Sequence, residues 1–334
     1  VPYPPDKGDR IRSFNTLRFL SQHCEIYLAT LADEPVSEET KSALSDLCAD
    51  VAIVPISKLG RWPKALWSML RGRSITAGAF HSSKLSQIIR DWQQKIGFDV
   101  CLASASSMVP YLKHPTMKHV PGVVDLVEVD SQKWLDYGEA SRGPKRWLYR
   151  IEGKQLRRLE TDIPKWARGV LLTTPREVEL YEGYAGEGSA IAIENGVDLE
   201  FFEPVPDSEE QSCVFVGAMD YRPNVDGIIW FCENVWPDLR KQAPSARLTI
   251  VGRNPTPAVQ TLDQLDGVHV AGTVPDVRPY VSDAGLVVVP LHIARGVQNK
   301  VLEALAMSKA VVASPTCLGG LATKIGHDLI ERMG

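Results

Sequence analysis

Short apolar runs rich in β-branched residues alternate with longer amphipathic stretches along this chain, and midway through it the alternation begins again. A short apolar run bounded by turn residues reads as a strand buried on both faces, and an amphipathic stretch between two of them reads as a crossover helix. Repetition of that unit predicts parallel sheets covered by helices, an α/β architecture. In the first half, strands are expected over residues 25–30, 51–55, 100–103, 120–125 and 169–173, with helices such as 11–22 and 38–48. In the second half they are expected over 213–217, 247–251, 268–271, 286–290 and 310–313, again with helices between.

Between the halves lie Glu194-Asn195-Gly196-Val197-Asp198 and then 201–207, punctuated by Gly and Pro and followed by acids, which places the linker there. A chain of 334 residues also exceeds what one hydrophobic core usually supports. The expected domains are 1–195 and 196–334, each Rossmann-like with a doubly wound parallel sheet. Such sheets take ligands at the carboxyl ends of their strands, so two of them facing one another place the chemistry in an interdomain cleft.

Composition narrows the function. The net charge of −4 argues against non-specific nucleic-acid binding, which needs a basic domain. No stretch approaches the roughly 20 apolar residues that span a bilayer. Six cysteines without a C-x-x-C pair indicate neither a zinc site nor a disulfide framework, which fits a reducing, cytoplasmic setting. The absence of G-x-G-x-x-G after a strand argues against a dehydrogenase. The chain opens on Val1-Pro2-Tyr3-Pro4-Pro5 without Met and stops at Glu331-Arg332-Met333-Gly334; both ends read as clipped, with a first strand expected to be missing.

Three regions carry candidate chemistry. In Arg295-Gly296-Val297-Gln298-Asn299-Lys300-Val301-Leu302-Glu303, Gly296 frees the backbone to approach a ligand, and the helix that follows offers N–H groups to an anion. Lys300 and Glu303 share a helical face, giving a cation for phosphate and a carboxylate for ribose hydroxyls. Taken alone, the pair is also what a solvated surface ion pair looks like. Lys7-Gly8-Asp9-Arg10-Ile11-Arg12 reads as a loop before a helix, suited to phosphate or equally to a solvated charged turn. The strand expected at 120–125 ends in Asp125, with Asp130 just beyond it, where the acids either line a cleft or cap the next helix.

Several of these segments, in this order, resemble glycosyltransferase family 4, of GT-B fold: Asn195-Gly196-Val197-Asp198 with Phe202 and Pro204, Val216-Gly217, and the stretch from Gly296 to Ala306. The likeness is closer to the sugar transferases associated with PEP-CTERM/exosortase and exopolysaccharide systems, through 2–15, 124–134 and 295–307. The resemblance implies a retaining, metal-independent hexosyltransferase that moves a sugar from a nucleotide-diphosphate sugar to a saccharide or lipid-linked acceptor. It implies no cofactor and no metal ligands, and it is consistent with the lack of a D-x-D flanked by strand signals.

On this resemblance the donor is bound by Gly8, Gly217, Arg222, Gly252, Val274, Arg295, Gly296, Val297, Gln298, Asn299, Lys300 and Glu303. The acceptor is bound by Lys7, Asp9, Arg10 and Arg12, and the catalytic candidates are Asp125, Asp130 and Glu303. The chain departs from the family at two points: Arg295 stands where many members have the first glutamate of an E-x7-E pair, and the loop after Val216 lacks a clean Arg/Lys pair, Arg222 being its cation. Those departures motivate the rival reading of a non-catalytic nucleotide-sugar-binding partner subunit. Another enzyme of the same fold, such as a sugar-nucleotide epimerase, is a further rival. Finally, residues 58–73 hold five cations, two tryptophans and no acid, and 142–168 are also cation-rich, so peripheral contact with the inner face of a membrane is expected.

Overall fold

The computed structural model describes residues 1–5, 8–57, 60–205, 211–294, 297–318 and 329–331. The chain divides into two compact units, Val1–Ile193 and Glu194–Gly334.

The first unit runs α1 (Gly8–Leu20), β1 (Tyr27–Ala32), α2 (Glu38–Ser45), β2 (Asp50–Pro55), α3 (Arg61–Leu70), α4 (Ile75–Ala79), α5 (Ser83–Ile96) and β3 (Cys101–Ser104). It continues with α6 (Val109–Leu112), β4 (Gly122–Val127), α7 (Asp130–Ala140), α8 (Pro144–Asp162), β5 (Gly169–Leu172), α9 (Pro175–Ala185) and β6 (Ile191–Ala192). Polar residues just ahead of the helices begin them: Ser37, Ser74, Ser82 and Thr174 each accept a backbone N–H of the first turn. Such caps contribute about 1 kcal/mol apiece.

The strands of this unit form two parallel sheets, β1-β2 and β3-β4-β5-β6, rather than the single doubly wound sheet expected. Each has its own apolar cluster. Leu31 and Val54 pack with Leu85 and Tyr111, while Val124, Leu126, Val170 and Leu172 pack with Ile163 and Tyr181. Residues 8–10, expected as a loop ahead of a helix beginning at Ile11, are already the opening of α1, and Arg12 is drawn inward to a buried carboxylate. β6, two residues long, is too short to show a period in sequence and is defined by its pairing with β5.

The second unit runs β7 (Ser212–Val216), α10 (Arg222–Asn234), α11 (Trp236–Gln242), β8 (Arg247–Val251), α12 (Pro257–Gln260) and β9 (Val268–Gly272). Then come α13 (Arg278–Asp283), β10 (Leu286–Val289), α14 (Asn299–Ala306), β11 (Ala310–Ala313) and β12 (Leu329–Glu331). Its sheet is parallel in the order β12-β11-β10-β7-β8-β9. Counted along the chain from β7, that is the doubly wound order 3-2-1-4-5-6. β7 is central, and Val214, Phe215, Ile250 and Val289 are all but fully buried; each such side chain contributes roughly 1.5–3 kcal/mol of burial. The segment expected as a linker is docked on this core up to Val205, since Phe202 and Val205 pack against it and Val205 N–H donates to Met307 O across 3.3 Å.

Candidate functional site

Where the strand order of a doubly wound sheet reverses, the connections depart to opposite faces and leave a crevice at the carboxyl ends of the two central strands. In the second unit that point lies between β7 and β10. The loop after β7 leads into α10, and the loop after β10 leads into α14, so both helices start at the crevice.

Gly217 follows β7 directly. A Cβ there would stand 2.7 Å from Asn224 Nδ2 and 2.9 Å from Lys300 Nζ, so only glycine lets both side chains reach the strand end. Gly252, after β8, is under a harder constraint: a Cβ would fall 1.6 Å from Gly217 O. Gly217 N–H donates to Val251 O at 3.0 Å and Gly252 N–H to Gly272 O at 2.8 Å, so the ends of β7, β8 and β9 are laced through glycines. Val274, just past β9, is half-buried against the core.

Lys300 is not a solvated surface charge. Its Nζ donates to Asn224 Oδ1 at 2.8 Å and sits 4.6 Å from the centroid of the buried Phe215 ring. Burial pushes the ammonium down to about 8, against the opposing pull of nearby Glu303. Burial likewise raises the Glu303 carboxyl above its ordinary range, and Lys300 pulls it back. A cation held partly dehydrated gains more from an incoming anion than one in water. At the start of α14, Val297 is buried, Gln298 is the cap residue and Asn299 Oδ1 accepts from Asn195 Nδ2 at 3.1 Å, tying the Asn195-Gly196 segment to this helix. The helix that follows Gly296 begins at Asn299; Arg295 and Gly296 lie outside the described residues.

Arg222 is placed differently from expectation. It opens α10 as an exposed residue paired with Asp226 at 3.1 Å, one turn along the same helix. Asn224, two residues on and buried, reaches the strand end instead. Sequence reasoning missed Asn224 because an Asn in the first turn of a helix ordinarily signals a cap, and its partner Lys300 is distant in sequence.

In the first unit, Asp125 and Asp130 both lie at the carboxyl end of β4, each with its own partners. Arg12 grips Asp125 with two hydrogen bonds, Nε to Oδ2 at 2.8 Å and NH2 to Oδ1 at 3.2 Å, the two side chains 8% and 6% exposed. Arg12 also donates to Ile193 O at 2.8 Å. Asp130 accepts from Ser106 Oγ at 2.5 Å and from Lys133 Nζ at 2.9 Å. Arg10 pairs with Glu34 at 3.4 Å, Gly8 and Asp9 are helical, and Lys7 lies outside the described residues. Arg12 and Asp125, expected as acceptor and catalytic residues, are thus brought together as one buried pair. Among the described residues, no three His, Cys, Asp or Glu side chains group as metal ligands, and no helix is long and apolar enough to cross a membrane.

Residues 210–330 match the sequence profile of the family described as glycosyl transferases group 1. No curated protein matches the chain at a significant level. Among solved structures, the chain is similar to sucrose-phosphate synthase from Thermosynechococcus elongatus, with a TM-score of 0.65 and 17% identity over 93% of this chain and 77% of that one. It is similar to Anabaena HepE, solved in complex with UDP and glucose, with a TM-score of 0.64 and 13% identity over 97% of this chain and 82% of that one. TarM gives 0.57 at 14% identity over 74% of this chain, which spans about half of TarM, 48%. The chain has the GT-B fold, and its second unit carries a domain of the glycosyl transferases group 1 type.

Proposed function

We propose that the protein is a retaining, metal-independent glycosyltransferase that moves a sugar from a nucleotide-diphosphate sugar to a saccharide or lipid-linked acceptor in exopolysaccharide or cell-envelope assembly. The observation that carries this reading is the half-buried Lys300 ammonium, held by Asn224 at the strand end where the order of the second sheet reverses. The group 1 profile over the same unit supports it, as does the likeness to HepE, a protein seen with UDP and glucose. The motifs at 2–15, 124–134 and 295–307 support the exopolysaccharide setting.

Breaking the bond between sugar and diphosphate builds negative charge on the leaving oxygen and positive charge on the anomeric carbon. A preorganised cation at the diphosphate lowers that barrier without reorganising at the moment of reaction. Lys300 supplies the cation, the backbone at Gly217 admits the phosphates, and Glu303 accepts from the ribose hydroxyls. The acceptor hydroxyl attacks from the leaving-group face, which preserves anomeric configuration. The first unit carries acceptor recognition, with Asp130 and Lys133 at the end of β4 as its polar groups; Asp125, held by Arg12, serves as an anchor.

The test is a thermal-shift panel of UDP-, GDP- and ADP-sugars on the parent and on Lys300→Ala. One base class should stabilise the parent, by about 2.7 kcal/mol at a hundred times Kd, and shift the variant far less at the same concentration. Equal shifts in both proteins, or no shift of the parent by any sugar nucleotide, would overturn the assignment.

A further inference from the structure

The helix α3 turns its small residues inward and its large ones out. Ala65 and Ser68 are buried, and α4 approaches so closely that a Cβ on Gly78 would lie 2.3 Å from Ser68 Cβ. By contrast Leu66, Trp67 and Leu70 are 54%, 57% and 70% exposed. With exposed Pro63 they fall at i, i+3, i+4 and i+7, a single apolar stripe on the outside of the helix. A helix held only by packing on its own unit would bury those residues.

The charge around the stripe is of one sign. From residue 51 to residue 90 the sequence has seven Lys and Arg and no Asp or Glu, in a chain whose net charge is −4. Lys64, Arg71 and Arg73 are exposed beside the stripe, and the Arg71 guanidinium lies 4.5 Å from the Trp67 ring centroid.

A second basic tract, distant in sequence, is joined to this one by Glu152 of α8. Ser68 Oγ donates to Ser74 O at 2.7 Å, and Ser74 Oγ, Ile75 N–H and Thr76 N–H donate to the Glu152 carboxylate at 2.7, 2.6 and 3.0 Å. Two of the three acids that interrupt the basic run of α8 in sequence are therefore not on its surface, and the third, Asp162 at its last residue, pairs with Lys113 and Lys165. Glu152 is buried on the start of α4, and Glu160 is buried where it accepts from Ser131 N–H and Tyr184 OH at 2.9 and 2.6 Å. What the first half of α8 exposes is Lys145, Arg146, Arg150 and Lys154, together with Trp147 at 62%.

We infer that α3 and the first half of α8 form a membrane-docking surface for a bilayer containing anionic lipid. Trp67, Leu66 and Leu70 enter the interface, and the surrounding cations meet headgroup phosphates. Charge decides against the other occupant of such a face: a second copy of this chain, docked symmetrically, would set these cations against one another. The surface lies in the first unit and rests on no part of the donor assignment, so its test needs no sugar nucleotide.

The full chain is sedimented with vesicles of phosphatidylcholine, with or without phosphatidylglycerol. Binding is expected to the mixed vesicles, weakly or not at all to phosphatidylcholine, and to fall away in about 0.5 M salt. Two variants probe the two components: Leu66→Ser with Trp67→Ser and Leu70→Ser, and Lys145→Glu with Arg146→Glu. All substituted side chains are exposed, so unchanged circular dichroism and Tm should accompany a loss of partitioning of roughly tenfold or more in each. The inference is overturned if the parent stays in the supernatant with mixed vesicles, or if both variants bind as the parent does. It is overturned equally if the parent is a dimer by sedimentation equilibrium and the triple variant a monomer.

Discussion

Lys300 Nζ donates to Asn224 Oδ1 across 2.8 Å, while the same amide donates through Nδ2 to Ala218 O across 2.9 Å. Both ends of the amide are used, which locks its orientation: turned over, it would set an NH2 against an ammonium. Asn224 therefore aims Lys300 at the end of β7. Asn224→Ala should weaken sugar-nucleotide binding about tenfold, the value of one hydrogen bond to a charged group. Because Asn224 acts through Lys300, adding Asn224→Ala to Lys300→Ala should cost little more than Lys300→Ala by itself, a non-additivity read by donor titration of all four proteins.

The ammonium of Lys300 titrates near 8, below the ordinary lysine range, because burial disfavours its charge. Two consequences of opposite sign follow. Donor affinity needs the charged form and should fall as pH rises through about 8. Stability behaves otherwise: between about 8 and the unfolded lysine value near 10.5, the unfolded chain holds more protons than the native one, so stability rises with pH through that window. Urea unfolding of the parent and Lys300→Met at neutral pH and near pH 10 should show the difference between them shift toward the parent by on the order of 2 kcal/mol. A constant difference would refute the depressed titration.

Two glycines at the strand ends should fail in different ways. Gly252→Ala drives a methyl onto the Gly217 carbonyl, a backbone atom that cannot swing aside, and should cost more than about 4 kcal/mol, leaving the second unit unfolded. Gly217→Ala meets instead the tips of Asn224 and Lys300, which can move. It should lose about 1–2 kcal/mol of stability while abolishing donor binding. Denaturant melts with and without sugar nucleotide separate the two outcomes.

In the first unit, breaking the Arg12–Asp125 pair leaves a buried charge without its partner. Asp125→Asn and Arg12→Met should each cost about 3–5 kcal/mol, whereas the double variant Arg12→Met with Asp125→Leu should be closer to the parent than either. Guanidinium unfolding of the isolated variants measures this. A change in acceptor KM at unaltered stability would instead return Arg12 to the acceptor site.

The alternation of apolar runs and amphipathic stretches made the α/β class, the position of most strands and the second start of the pattern legible from sequence, because each of these is set by residues near one another along the chain. Strands at Arg247–Val251 and Ala310–Ala313 fall where their β-branched runs place them. The shared helical face of Lys300 and Glu303 is equally local. What only the tertiary structure decided is which distant groups meet. Asn224 lies 76 residues from Lys300, and Arg12 lies 113 from Asp125. The crossover order of the second sheet, the separation of β1-β2 from the other sheet, and the Glu152 clamp joining the start of α4 to α8 are of the same kind. Such contacts depend on how helices and sheets pack, and a period in hydrophobicity says which face of an element is buried but not against what.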